Sequence, residues 1–205
     1  MVRVLIGLFI FTFSQFLWGE ECRSVELLYI TSDHGVEGQV DTNFDQRLAE
    51  LGRSTSEKLF GVQRMRRYGA LASKCYWDGN SVFEWGGFVD PNGTIVGHSD
   101  LGDVHVRQDT FGVFAVGGFR FRRAVASAGA YAAYTESDVH SWVLGRLALE
   151  EYHDTYHDFS TGLVVRLQVD LTDEIAGTCT MFRHVGDMDK IGASHIVGCG
   201  LRYQF

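Results

Sequence analysis

Gly192-Ala193-Ser194-His195-Ile196-Val197-Gly198-Cys199-Gly200-Leu201-Arg202-Tyr203-Gln204-Phe205 alternates with a period of two. One parity, His195, Val197, Cys199, Leu201, Tyr203 and Phe205, is nearly all apolar. The other, Ser194, Ile196, Gly198, Gly200, Arg202 and Gln204, is mostly polar or small. This is the period of a β-strand and not of a helix. In water, an oily face running on into Tyr-x-Phe gains nothing. Against lipid it is the outward face, with its aromatic end seated at the interface. The stretch therefore predicts a strand of a membrane barrel, provided the chain also supplies an export signal, more such strands and suitable turns.

The stretch resembles the last strand of bacterial outer-membrane β-barrels, which ends in Phe with apolar residues at alternate positions. The resemblance implies a place in the bacterial outer membrane. It also implies lipid and lipopolysaccharide as neighbours, and recognition of Phe205 by the barrel-assembly machinery.

The composition agrees. The chain has 205 residues, 45% of them hydrophobic and 13% aromatic, with 24 Gly and the single Pro91. That length suits one domain. Beyond the first residues no run approaches the ~20 apolar residues of a membrane helix. Much Gly and little Pro suit uninterrupted strands bent around a closed sheet. A soluble β-sandwich or calyx binding a small apolar ligand shares these traits and is the soluble alternative. The net charge of −8 argues against nucleic acid as a partner.

Residues 1–19, MVRVLIGLFIFTFSQFLWG, have Arg3 ahead of an apolar run and read as a secretory signal peptide, leaving 20–205 as the barrel. In an oxidising compartment Cys22, Cys75, Cys179 and Cys199 are able to pair. Four cysteines allow three pairings.

Phe159 to Leu171 is the clearest second strand. Phe159, Thr161, Leu163, Val165, Leu167, Val169 and Leu171 share one face; Ser160, Gly162, Val164, Arg166, Gln168 and Asp170 share the other. Working from both ends gives eight antiparallel strands, near 24–32, 57–67, 70–88, 104–121, 124–136, 158–171, 174–185 and 193–205. Tight turns are expected at Arg67 to Gly69, Arg122-Arg123 and Thr172-Asp173, and longer polar loops at 33–56, 89–103, 137–157 and 186–192. The fold expected is thus an eight-stranded antiparallel transmembrane β-barrel, with ten strands as the alternative. An even count places the tight turns at the end that holds both termini. The spacing of Phe44, Leu48, Leu51 and Leu59 fits a short amphipathic helix over Asn43 to Leu59, or an irregular loop with incidental leucines. Ser141 to Tyr152 alternates well enough to extend a strand above the membrane.

Two stretches carry metal-ligand chemistry. Gly97 to His105 gathers His98, Asp100, Asp103 and His105, and His153 to Asp158 gathers His153, Asp154, His157 and Asp158. Imidazole and carboxylate suit zinc or manganese, but a loop has no period to set a geometry. Both read as solvated polar loops, and neither a metal nor a cofactor is expected. Lys58, Arg64, Arg66, Arg67, Arg120, Arg122 and Arg123 read as boundary charges or as contacts to lipid phosphates. Glu84 and Arg166 are expected to join a network of paired charges inside the barrel.

Tyr76-Trp77-Asp78 with Phe83-Glu84-Trp85-Gly86-Gly87, and Phe182-Arg183-His184-Val185-Gly186-Asp187, resemble the long aromatic third strand and the His-x-Ser-Asn segment of the lipid A 3-O-deacylase family. These are eight-stranded outer-membrane esterases. The resemblance implies His184 as a base, but Gly186 stands at the nucleophile position and His195 where a carboxylate would orient the base. Glycine has no side chain to acylate, so the family mechanism does not run at this position. Ser194 is the nearby hydroxyl. His184, His195 and Ser194 are therefore the candidate catalytic residues only of an esterase alternative. The primary expectation is a barrel with a structural or surface-interaction role through its outer loops.

One register question stays open. One pairing of the last hairpin sets Cys179 opposite Cys199; a slip of one residue sets His184 opposite His195 and exchanges the faces. The apolar row Ile175, Cys179 and Met181 favours the cysteines, and the family resemblance favours the histidines.

Overall fold

A computed structural model of the chain describes residues 21–32, 37–54, 65–144, 148–185 and 195–205. Eight strands follow in order: β1 Glu21–Ser32, β2 Met65–Asp78, β3 Ser81–Ser99, β4 Gly102–Phe121, β5 Ala124–Leu144, β6 Leu149–Asp170, β7 Ile175–His184 and β8 His195–Gln204. A helix, α1 Glu37–Glu50, lies between β1 and β2. Each strand pairs antiparallel with the next, and β8 pairs with β1 to close the sheet. Closure removes every open edge. It excludes both the ten-strand alternative and a two-sheet sandwich.

In the lower part of the barrel, the end that holds Glu21 and Phe205, the strands are apolar outside and polar inside. On β6 Leu163 and Leu167 are 55% and 56% exposed while Arg166 between them is 1% exposed. A soluble calyx has the reverse pattern. On β4 the outward band runs from Phe111 to Phe121. The ten steps of ~3.3 Å from Phe111 to Phe121, tilted by roughly 40°, rise about 25 Å along the normal, the height of an outer-membrane apolar band.

Higher up, the pattern inverts. Phe111, Tyr134 and Phe159 form one cross-strand row, with Phe111 and Tyr134 ring centroids 5.1 Å apart. The next row upward is Asp109, Glu136 and His157. Above it most outward residues are polar, with Val96, Trp142, Leu144 and Leu149 as exceptions, and the inward ones include Val104, Val106, Val139 and Val143, all buried. The described residues of the expected loops 89–103 and 137–157 are therefore mostly strand. They are the upper halves of β3 to β6, strands of 19 to 22 residues whose outer face meets water. The polar composition that suggests loops is the water-facing side of continuing sheet.

α1 fills the concave inner side of this upper sheet. Val40, Phe44 and Leu48, four residues apart and so on one helix face, are buried against Ile95, Val104, Val106, Val139 and Val143. The helix begins earlier than the leucine spacing implies and ends at Glu50. Leu51 packs beside it, whereas Leu59 lies outside the described residues.

The expected turn at Arg67 to Gly69 is also corrected. β2 continues to Asp78 and reverses at Gly79-Asn80, where Gly79 takes φ 58°, a left-handed conformation that glycine adopts without a Cβ penalty. The strands expected at 57–67 and 70–88 are thus replaced by β2 and β3, and Tyr76-Trp77-Asp78 and Phe83-Glu84-Trp85 lie on opposite arms of one hairpin. Arg67 reads as a turn charge, yet it is buried in mid-sheet and bound through two nitrogens to both carboxylate oxygens of Asp90. The lower turns at Gly79-Asn80, Arg122-Arg123 and 171–174 all fall at the end that holds Glu21 and Phe205, as an even barrel requires.

Candidate functional site

The interior offers no channel among the described residues, because its cross-section is filled in layers. At the bottom the Cys22–Cys75 disulfide packs with Val82, Val125 and Trp77. Above it lies a charged layer. Arg166 is ion-paired with Glu26 and stands 3.6 Å from Glu84; Arg202 reaches Glu84 at 3.2 Å and the Gln168 amide oxygen at 2.7 Å. The expected Glu84 and Arg166 network is therefore present, with Glu26 and Arg202 as its other members. Each charge has an opposite neighbour, which is the condition for keeping it in a dry interior.

The next layer is aromatic. Phe88, Tyr131 and Phe182 meet with ring centroids 4.4 to 6.3 Å apart. Gly112 makes room for them, since a Cβ there would fall 2.6 Å from the Phe88 ring. α1 closes the top. Asn43 donates to the Tyr156 hydroxyl, and Arg47 pairs with Asp154 at 3.5 Å and covers the Tyr152 ring at 4.2 Å. Burial raises the Tyr156 pKa, with the Asp154 charge adding to the effect, so the phenol stays neutral in this contact.

The last hairpin takes the cysteine register. Cys179 stands opposite Cys199, and the two are bonded, with Cα atoms 4.1 Å apart. This disulfide lies on the outward, lipid-side face, whereas Cys22–Cys75 lies inside. In this register His195 opposes Arg183 and shares the outward parity of Val197 and Cys199. His184 opposes Gly162 on β6 and shares the inward parity of Phe182. The barrel wall thus separates the two histidines. Ser194 and Gly186 lie outside the described residues. The candidate esterase residues that are described are not brought together.

The outer face of the upper sheet does bring chemistry together. His105 on β4, His140 on β5 and His153 on β6 are direct cross-strand partners in one row. The His140 and His153 rings are 4.1 Å apart, and His105 meets the Trp142 ring edge at 4.8 Å. The row above holds His98, Asp103, Trp142 and Glu151. There His98 Nδ1 and Asp103 Oδ1 are 2.7 Å apart, and Glu151 Oε1 lies 3.8 Å from His140 Nδ1. The row below holds Arg107, Asp138 and Thr155, with Thr155 donating to Asp138 at 3.0 Å. The face is thus dense in imidazole and carboxylate and poor in Lys and Arg.

Sequence reading finds His105 and His153 in two separate stretches and misses His140 between them. Its signal is the parity of β5, where Glu136, Asp138 and His140 continue the outward positions of Ala130, Ala132 and Tyr134. The basic residues divide as well. Arg67 is interior, while Arg120 pairs with Asp170 at 2.9 Å and lies over Trp77 at 4.2 Å near the lower rim. Lys58 and Arg64 lie outside the described residues.

No protein-family model matches the chain, and no curated protein matches it in sequence. Among solved structures it is similar to Ail, the attachment invasion locus protein of Yersinia pestis, at 12% identity and a TM-score of 0.48, over 91% of this chain and 100% of that one. It is also similar to the N-terminal β-barrel domain of Pseudomonas aeruginosa OprF, at 8% identity and 0.41, over 89% and 97%. A third is Neisserial surface protein A, at 9% and 0.37, over 90% and 96%.

Proposed function

We propose that this chain is a bacterial outer-membrane β-barrel that acts above the bilayer, as a surface-interaction protein, through the water-facing side of the β3 to β6 sheet. The observation that carries this reading is the inversion of polarity at the Phe111, Tyr134 and Phe159 row. Below the row the wall meets the acyl chains of phospholipid and lipopolysaccharide. Above it the same strands continue as a two-sided wall, apolar toward α1 and polar toward the medium. A barrel that serves only as an anchor has no use for strands of about twice the 9 to 11 residues needed to cross. The filled interior argues against transport. The partner favoured is cationic, because among the described residues Asp103, Asp109, Glu136, Asp138 and Glu151 outnumber Arg107 on the outer face.

Surface labelling tests this. A cysteine placed at Thr155, outward and exposed, is expected to react with a membrane-impermeant maleimide on intact cells. One placed at Ala128, in the outward lower band, is expected to stay unlabelled. Equal protection of both sites would refute the reading.

A further inference from the structure

We propose that the outer face of the upper sheet is a pH-dependent docking surface for a basic polypeptide segment, which it holds in neutral medium and releases in mildly acidic medium. The proposal deepens the surface reading above and rests on it for access from the medium; the charge chemistry of the face does not.

Five of the chain's eight histidines lie on this face. Register brings them together: His98 on β3, His105 on β4, His140 on β5, and His153 and His157 on β6 fall in three cross-strand rows. Each has a carboxylate beside it. His98 Nδ1 is 2.7 Å from Asp103 Oδ1, Glu151 Oε1 is 3.8 Å from His140 Nδ1, and His157 stands directly opposite Glu136. His105 and His153 follow Asp103 and Glu151 by two residues, hence on the same side of the strand. His157 Nδ1 also meets the Tyr134 hydroxyl at 2.6 Å. The other charges of the face, among the described residues, are Asp109, Asp138 and Arg107, the last 3.6 Å from Asp109, with Asp100 exposed in the turn above. Arg47, Glu150 and Asp154 belong to the α1 side of the sheet. The rows from His98 to His157 thus carry a formal charge of −4 with neutral imidazoles and +1 with all five protonated.

Imidazole is the side chain whose charge changes between about pH 5 and 8, while carboxylates stay ionised and guanidinium stays protonated. In neutral medium the carboxylates of the face are open to a basic partner. As the pH falls, each imidazolium pairs with a carboxylate of its own face. Attraction to the partner is therefore present above the imidazole range and lost below it. Trp142 couples to the same change, because its ring centroid lies 4.8 Å from that of His105 and 6.0 Å from that of His140. An indole is a good seat for a guanidinium or ammonium group, and imidazolium beside it repels that guest. A second copy of the chain is not the occupant, since a two-fold contact would set this acidic face against itself. The charges are also spread over rows ~6.6 Å apart along the strands, which is the spacing of alternate side chains on an extended chain.

The test uses the full-length mature chain, untagged and folded in a non-ionic detergent, with the anisotropy of a rhodamine-labelled peptide of alternating Arg and Ser as readout. The peptide is expected to bind at about pH 7.5 and to weaken at least about tenfold at about pH 5.5, whereas an alternating Glu-Ser peptide should not bind at neutral pH. The variant His98→Gln/His105→Gln/His140→Gln/His153→Gln/His157→Gln, which keeps His184 and His195, is expected to hold its neutral affinity at the lower pH. Asp138→Asn/Glu151→Gln should weaken binding at neutral pH. All these sites are on the water-facing surface, and the mobility shift on boiling verifies that each variant is folded. Absence of saturable Arg-Ser binding by the folded wild type at neutral pH overturns the proposal. An affinity that does not change with pH overturns it as well, and so does an equal loss in the five-histidine variant. Because the protein is purified, failure here is separable from failure of the surface reading, which the cell-labelling experiment decides.

Discussion

Phe44→Ala probes what holds α1 in the upper sheet. Phe44 is 3% exposed and packs, with Val40 and Leu48, on valines and an isoleucine of β3, β4 and β5. Truncating a buried Phe to Ala costs about 3 to 5 kcal/mol. The polar contacts do not replace it. Arg47 and Asp154 are each about a third exposed, so that pair contributes at most about 1 kcal/mol. Arg47 over Tyr152 adds about 0.5 to 1 kcal/mol, and the Asn43 to Tyr156 hydrogen bond about 1 kcal/mol. Once undocked, a helix of 14 residues is marginal in water.

The undocked population is therefore expected to rise by about two to three and a half orders of magnitude. Trypsin cleavage at Arg47 in the detergent-folded protein follows that population when reclosing is fast. Cleavage should accelerate accordingly, while the gel mobility of the unboiled barrel stays that of the wild type. An unchanged cleavage rate in a folded Phe44→Ala barrel would refute the argument, because something other than the apolar row would then hold the helix. Loss of the folded band would refute it differently, by making α1 part of barrel formation itself.

Glu26→Gln removes the carboxylate paired with the 1%-exposed Arg166, and breaking a buried pair costs about 3 to 5 kcal/mol; a lower urea midpoint for the folded band is the expected result. For the disulfides, loops of 20 and 53 residues correspond to about 3 and about 4 kcal/mol in the chain-entropy account. Cys22→Ala/Cys75→Ala should thus lower unfolding resistance more than Cys179→Ala/Cys199→Ala, and a non-reducing peptide map of the wild type should show only these two pairings. Leu167→Arg places a charge in the outward band and should destabilise folding into vesicles by up to about 2 to 4 kcal/mol, the cost at the bilayer midplane. The same change at Thr155 should be close to neutral.

The sequence by itself determined the strand period and the two alternating rows of each strand, because side chains alternate on a strand whatever lies across from it; closure of the sheet settled the count at eight. Around Arg166 the period is plain and only the choice of side is open; Val165 and Leu167 face out, and Arg166 faces in. The tertiary structure decided what depends on a neighbouring strand. Arg67 reads as a turn charge until Asp90 is placed beside it. The last hairpin had two registers, and pairing placed Cys179 against Cys199 and put His184 and His195 on opposite sides of the wall.

The polar stretches of β3 to β6 read as loops because composition does not show that their inward residues are covered by a helix some fifty to a hundred residues earlier in the chain. The histidine row is the clearest case. His105, His140 and His153 are distant in sequence and join only because the Arg122-Arg123 turn sets the alignment of β4 with β5, and the pairing of β5 with β6 carries it to the third strand. Period is a local property of the backbone, whereas register belongs to pairs of strands, and a cross-strand site exists only once register is set.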